Sequence, residues 1–140
     1  RSDIVDKVAA AAGVTNKALT VSHGFHSPLM KPALEPFRAE LEAVQFAAPS
    51  ISFFSTLLGR ETKGEEMSQP QYWVDHVERS VRFLAATKAL DDAVSPQVFL
   101  EIGSSPVLVN MAKRFISRST EWLPSLDGKV GGDIEALKKA

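Results

Sequence analysis

Three histidines occur in 140 residues, and two of them, His23 and His26, stand within four residues of each other in Val21-Ser22-His23-Gly24-Phe25-His26. An imidazole suits proton transfer near neutral pH because its ordinary pKa is about 6.5. A pair at the mouth of a strand can therefore supply a general base. The same pair can equally be two turn residues with satisfied hydrogen bonds, and on the local pattern that plainer reading stays open. A metal site has less to build on: the remaining histidine is His76, no carboxylate flanks the pair at a helical ligand spacing, and cysteine is absent. His76 falls in Tyr72-Trp73-Val74-Asp75-His76-Val77, where its bland reading is a half-buried helix residue. Gly103-Ser104-Ser105-Pro106 looks like a nucleophile turn but lacks the second glycine of Gly-x-Ser-x-Gly, so it reads as a capped helix start.

The elements that must position these residues follow from periodicity. Residues 3–12 carry Ile4, Val5, Val8, Ala9 and Ala12 on one helical face that Gly13 ends, and Ala18-Leu19-Thr20-Val21 is a short strand leading into the histidines. Ser27-Pro28 offers an N-cap and first helical residue, with Leu34, Phe37, Leu41 and Val44 in helical register and the regular part beginning near Pro32 or Pro36. Ile51 to Ser55 is predicted as a strand, Glu61 to Gln69 as a loop, Tyr72 to Val77 as helical and Val81 to Ala93 as a further helix. Val98 to Ile102 reads as a buried strand. Ser105 then caps a helix with Pro106 as its first residue, running through Ile116. Trp122 to Leu126 is a last apolar run, and Gly131-Gly132-Asp133 introduces another helix. Trp73, Phe99, Leu100 and Phe115 belong to these patterns as core. Strand-turn-helix order argues for an α/β fold.

Composition excludes several classes of partner. Sixteen basic and seventeen acidic residues leave a formal charge of −1, which gives no broad footprint for nucleic acid or an anionic membrane surface. No apolar run approaches the roughly 20 residues of a membrane helix, and Arg1-Ser2-Asp3-Ile4-Val5 lacks a signal-peptide pattern. Without cysteine there is no disulfide and no thiol nucleophile. The expectation is a cytoplasmic protein. The chain opens in the middle of a helical pattern, which reads as a cut end with a preceding segment belonging to the folded particle.

Val21-Ser22-His23-Gly24-Phe25-His26-Ser27-Pro28-Leu29-Met30 resembles V-S-H-A-F-H-S-P-L-M of polyketide synthase acyltransferase domains. Phe46-x-x-Pro49, Ser55-Thr56-x-x-Gly59, Pro70-x-Tyr72-Trp73-Val74-x-His76-Val77, Val81-Arg82-Phe83 and Phe99-Leu100-Glu101-Ile102-Gly103-x-x-Pro106-Val107-Leu108 are similar to the later landmarks of that family, in the same order. Three positions depart from it: Gly24 stands for the usual alanine, Ser104-Ser105 for proline-histidine, and Ser80 for the proline before Val81.

The resemblance implies a ping-pong transfer of malonyl from malonyl-CoA to the phosphopantetheine thiol of an acyl carrier protein, with no bound metal or cofactor. A serine in a Gly-His-Ser-x-Gly elbow is the family's nucleophile, and this sequence has no such motif. The malonyl-binding arginine also belongs to the missing N-terminal half of the domain. His26 matches the family's catalytic histidine, and His76 marks the backbone carbonyl that orients it. His23, Gly24 and Phe25 align with the tetrapeptide that tracks malonyl against methylmalonyl choice. The implied fold is α/β: residues 1–21 end a ferredoxin-like small subdomain, 22–126 form the C-terminal part of an α/β-hydrolase-like subdomain, and 127–140 start a post-acyltransferase segment. Partners are the N-terminal half, the carrier protein, and the ketosynthase and linker domains of the same synthase. A non-catalytic remnant that docks a carrier protein or braces a neighbour, and a fatty acid synthase malonyltransferase, are the alternatives.

Overall fold

Alternating runs of apolar periodicity and turn residues give the order helix, helix, hairpin, helix, helix, strand, helix, strand in the computed structural model, which describes residues 2–16 and 22–126. The strand expected at Ala18 to Val21, the helix expected after Gly131 and the segment 127–140 lie outside the described residues. Helix α1 (Ser2–Ala11) ends as its glycine demands. Gly13 takes φ +65°, and Val14 N–H donates to the Ala9 carbonyl at 3.0 Å, closing a Schellman cap.

Helix α2 (Lys31–Glu42) starts with Pro32 in its first turn, where a missing N–H costs nothing, and it also accommodates Pro36 internally. A 3-10 turn, Pro28–Met30, leads into it. α2 lies along α3 (Pro70–Glu78), with Arg38 donating to Gln71 Oε1 at 2.6 Å and Phe46 stacked on Trp73.

The strand expected from Ile51 to Ser55 is shorter: only β1 (Phe54–Ser55) pairs, antiparallel, with β2 (Arg60–Glu61). The predicted loop therefore starts with a strand and contains a 3-10 turn at Glu66–Ser68. Glu66 accepts two bonds from the Arg60 guanidinium and one from Lys63 N–H, which hold its carboxyl down at about 2. Ser55 is fully buried, its Oγ accepting from Leu57 N–H at 3.1 Å and Leu58 N–H at 3.2 Å. With both lone pairs used, the Ser55 proton goes to the Tyr72 hydroxyl, 2.7 Å away, which ties the hairpin to α3. Ser55→Ala leaves two buried polar groups and one half-buried amide unpaired and is expected to destabilise the complete domain by about 1–3 kcal/mol in urea unfolding. A change under about 0.5 kcal/mol would mean that water takes over these bonds.

Helix α4 (Phe83–Val94) begins two residues later than the pattern suggested, leaving Val81 outside and exposed. The chain enters it pinned to the hairpin, because Arg82 N–H donates to the Thr56 carbonyl at 2.7 Å and its guanidinium to the Leu58 carbonyl at 2.9 Å. Strand β3 (Val98–Glu101) pairs in parallel with β4 (Glu121–Pro124), from Val98 opposite Glu121 to Glu101 opposite Pro124. Phe99 stacks on Trp122 and Phe83 meets Phe115 edge-on, as their core pattern predicts.

Two expectations here need correction. Val98 to Ile102 is not a buried strand: Leu100 is 49% and Ile102 85% exposed, since among the described residues only β4 pairs with β3. The second edge and face open on a groove of about 260 Å³ lined by Phe54, Phe83, Leu90, Phe99, Leu108 and Trp122. Nor does Ser105 cap the following helix, α5 (Val107–Ala112), which has Pro106 at its cap position and turns on to Ile116. The Glu101 carboxylate reaches across instead and accepts from Leu108 N–H at 3.0 Å and Val109 N–H at 2.9 Å. A charged acceptor facing two amides at a helix start outcompetes a neutral hydroxyl.

Candidate active site

The last carbonyls of a helix have no intrahelical donor. α3 ends at Glu78, and the histidine turn docks on that end. His26 N–H donates to the Val77 carbonyl at 3.1 Å, and His26 Nδ1 lies 3.2 Å from the Arg79 carbonyl. A carbonyl only accepts, so Nδ1 carries the proton and Nε2 is left with its lone pair. His26 itself adopts φ +57°, the left-handed region that side chains other than glycine rarely enter. Two bonds to one helix end hold it there, with the ring exposed.

The sequence placed the orienting carbonyl at His76, and the structure corrects this: the carbonyl at Nδ1 belongs to Arg79, one helical turn further on. The contact is made at the residue just past the helix end, whose backbone acceptor has no side-chain signature. His76 keeps a place beside the site through its side chain. Its ring centroid is 6.0 Å from that of His26, edge-on, and its Nε2 lies 3.3 Å from Thr56 Oγ1. The ring of Tyr72 backs it at 6.1 Å. The hairpin, α3 and the histidine turn thus meet at His76.

His23 and Phe25 stand on the same turn, exposed, with ring centroids 5.8 Å apart, and His23 Nδ1 lies 2.9 Å from Ser22 Oγ. Gly24 is half-buried, and a Cβ there would come within 2.7 Å of Leu29 Cδ1. Among the described residues no group of three or more His, Asp or Glu side chains has metal-binding geometry, and no helix is long and apolar enough to cross a membrane. The apolar groove beside β3 is lined by none of the residues 23–26, though Thr56 lines it while facing His76. Sequence reasoning missed the carbonyls of Val77 and Arg79, which leave no side-chain signature, whereas Ser27 is the N-cap that Ser27-Pro28 suggested.

An arrangement of this kind holds one imidazole in one tautomer with one ring nitrogen free, which is a geometry able to take up a proton. The family model for the acyl transferase domain matches residues 2–132. Polyketide synthase GfsB of Streptomyces halstedii is 41% identical over 99 residues, which is 71% of this chain and 2% of that protein. The PKS-NRPS hybrid synthetase acdB of Aspergillus candidus is 40% identical over 114 residues, 79% of this chain and 4% of its own length. The crystal structure of the acyltransferase domain from the second module of the salinomycin polyketide synthase superposes with a TM-score of 0.85 at 36% identity, covering 99% of this chain and 32% of that one. Malonyl CoA-acyl carrier protein transacylase from Clostridium perfringens, 21% identical with a TM-score of 0.79, shares the α/β fold over 95% of this chain and 39% of its own. The chain therefore belongs to the acyl transferase domain family, and it matches the acyltransferase domains of polyketide synthases over a part of their length.

Proposed function

We propose that this chain supplies the general base and one wall of the acyl pocket of a malonyltransferase that loads the acyl carrier protein of a polyketide synthase. The observation that carries this reading is His26, fixed by two bonds to the end of α3 with Nε2 left free. A serine hydroxyl from the part of the domain that precedes this chain attacks the thioester carbonyl of malonyl-CoA, and Nε2 takes its proton. The tetrahedral adduct collapses, the C–S bond breaks, and the CoA thiolate leaves with that proton. The phosphopantetheine thiol of the carrier protein then gives its proton to the same nitrogen and attacks the malonyl-serine ester. Serine recovers the proton as it departs. The carbonyl end of α3 faces the ring that must hold this transient charge, a favourable place for a cation.

The division of the chain follows the same reading. Residues 1–21 close a ferredoxin-like small subdomain, 22–126 complete an α/β-hydrolase-like subdomain with the N-terminal half, and 127–140 lead into the linker toward neighbouring synthase domains. Neither step asks for a metal or resident cofactor. The direct test is to incubate the complete domain with malonyl-CoA and holo carrier protein and weigh the carrier protein: a malonyl mass increment is expected. An unmodified carrier protein would favour the non-catalytic, docking role instead.

Phe25, exposed and next to His26 in the chain, is assigned on this reading to the wall of the acyl pocket, where its ring would occupy the space an α-methyl group needs. Phe25→Ser is expected to raise the methylmalonyl-to-malonyl ratio of kcat/KM by roughly 10- to 200-fold at most, since one methyl is worth about 1–3 kcal/mol in such a pocket. Competition between the two CoA esters, read from the masses of the loaded carrier protein, checks it. An unchanged ratio would take Phe25 out of the pocket.

A further inference from the structure

We infer that Ser27 is a positioning residue for His26, an inference that rests on the reading of His26 as the base. His26 is held in the left-handed region at φ +57° although a glycine two residues earlier, Gly24, would accept that conformation freely. Its two bonds to α3 explain where the imidazole points, but they act from one side only. The segment before and after it must also be closed into a turn. Ser27 does this with a single hydroxyl: Oγ–H donates to the Gly24 carbonyl at 2.6 Å, and Oγ accepts from Leu29 N–H at 3.3 Å. The hydroxyl bridges residues on either side of His26. Ser27 has extended φ −147° and ψ 167°, the N-cap geometry for the Pro28–Met30 turn, and its carbonyl accepts from Met30 N–H at 3.0 Å.

Gly24 makes this brace matter more here. Without a Cβ it has no steric restriction of its own, and the Leu29 side chain occupies the space a Cβ would need. Once the hydroxyl is gone, the Gly24 carbonyl loses its partner and the turn can relax toward an ordinary φ at His26, swinging Nε2 away from the reacting serine. Displacing a catalytic group by an ångström costs up to about a hundredfold in rate. Because the Ser27 hydroxyl is spent on two backbone groups, it has no role in holding the CoA ester, and its loss should fall on kcat with KM unchanged.

The experiment compares Ser27→Ala, Ser27→Thr and His26→Ala in the complete acyltransferase domain by single-turnover acylation with malonyl-CoA, alongside thermal unfolding. Ser27→Ala is expected to slow acylation by about ten- to a hundredfold at unchanged KM and nearly unchanged Tm. Ser27→Thr, which keeps the hydroxyl and suits an extended backbone, restores the rate to within about threefold of the parent. Ser27→Ala acting within about twofold of the parent while His26→Ala is severely impaired overturns the inference and leaves the base in place. A loss that threonine fails to restore, or one matched by a loss of folded protein, also overturns it. If His26→Ala itself loses less than tenfold, the assignment of the base fails first.

Discussion

His26→Ala in the complete acyltransferase domain is expected to slow acyl-enzyme formation by about 10²- to 10⁴-fold, the range that a positioned general base contributes. The side chain is exposed, so truncation removes no core packing, and circular dichroism should be unchanged. What disappears is specific: Nδ1 no longer meets the Arg79 carbonyl, and the free Nε2 is lost with the ring. His76 cannot stand in, because its ring centroid lies 6.0 Å from that of His26 and its Nε2 is engaged with Thr56. His23, at the other end of the tetrapeptide, has Nδ1 beside Ser22. A loss below tenfold with the fold intact would give the base role to His23 or to no residue of this turn.

Labelling with radioactive malonyl-CoA should separate the contribution of this chain from that of the N-terminal half proposed to complete it. The 140-residue chain alone is expected to retain no acyl label, and the same chain recombined with that half to be labelled. The sequence contains no Gly-His-Ser-x-Gly, and none of its serines stands in such an elbow. Ser55 is fully buried and shares its proton with Tyr72, Ser27 is bonded to the Gly24 carbonyl, and Ser105 sits in the turn before α5. Recombination should also protect apolar surface that the chain alone leaves open. Ile51, Leu100 and Ile102 are 79%, 49% and 85% exposed, and the groove beside β3 has an unpaired strand edge among the described residues. Such edges and patches invite aggregation, and covering them should raise the midpoint of thermal unfolding. Stable label on the 140-residue chain alone would assign the nucleophile to one of its own serines and refute the division of labour.

The order of elements was legible in the sequence because each depends mostly on its own residues. Three- to four-residue spacing marked α1, α2 and α4, Gly13 ended α1, and Ser27-Pro28 opened the turn into α2. The histidine turn was legible too, since two scarce imidazoles three positions apart are a pattern of side chains. Its placement was not. A local rule puts the left-handed residue at Gly24, yet His26 takes it, because hydrogen bonds to a helix more than fifty positions away offset the strain.

Only tertiary structure could decide which carbonyl orients His26, because every residue carries the same backbone acceptor and no side-chain pattern distinguishes Arg79 from His76. The same holds for the start of α5, where Glu101 reaches across from β3 and displaces the local candidate Ser105. Burial of Val98 to Ile102 escaped the sequence for a related reason. Apolar residue types state that a strand is suited to a core, while exposure depends on which neighbours cover its face and edge. Sequence alone therefore determined the residue types, their local periodicity and the gathering of two histidines into one turn. The third dimension decided what each polar group meets, since hydrogen-bond partners distant along the chain compete with local ones on geometry that spacing does not encode.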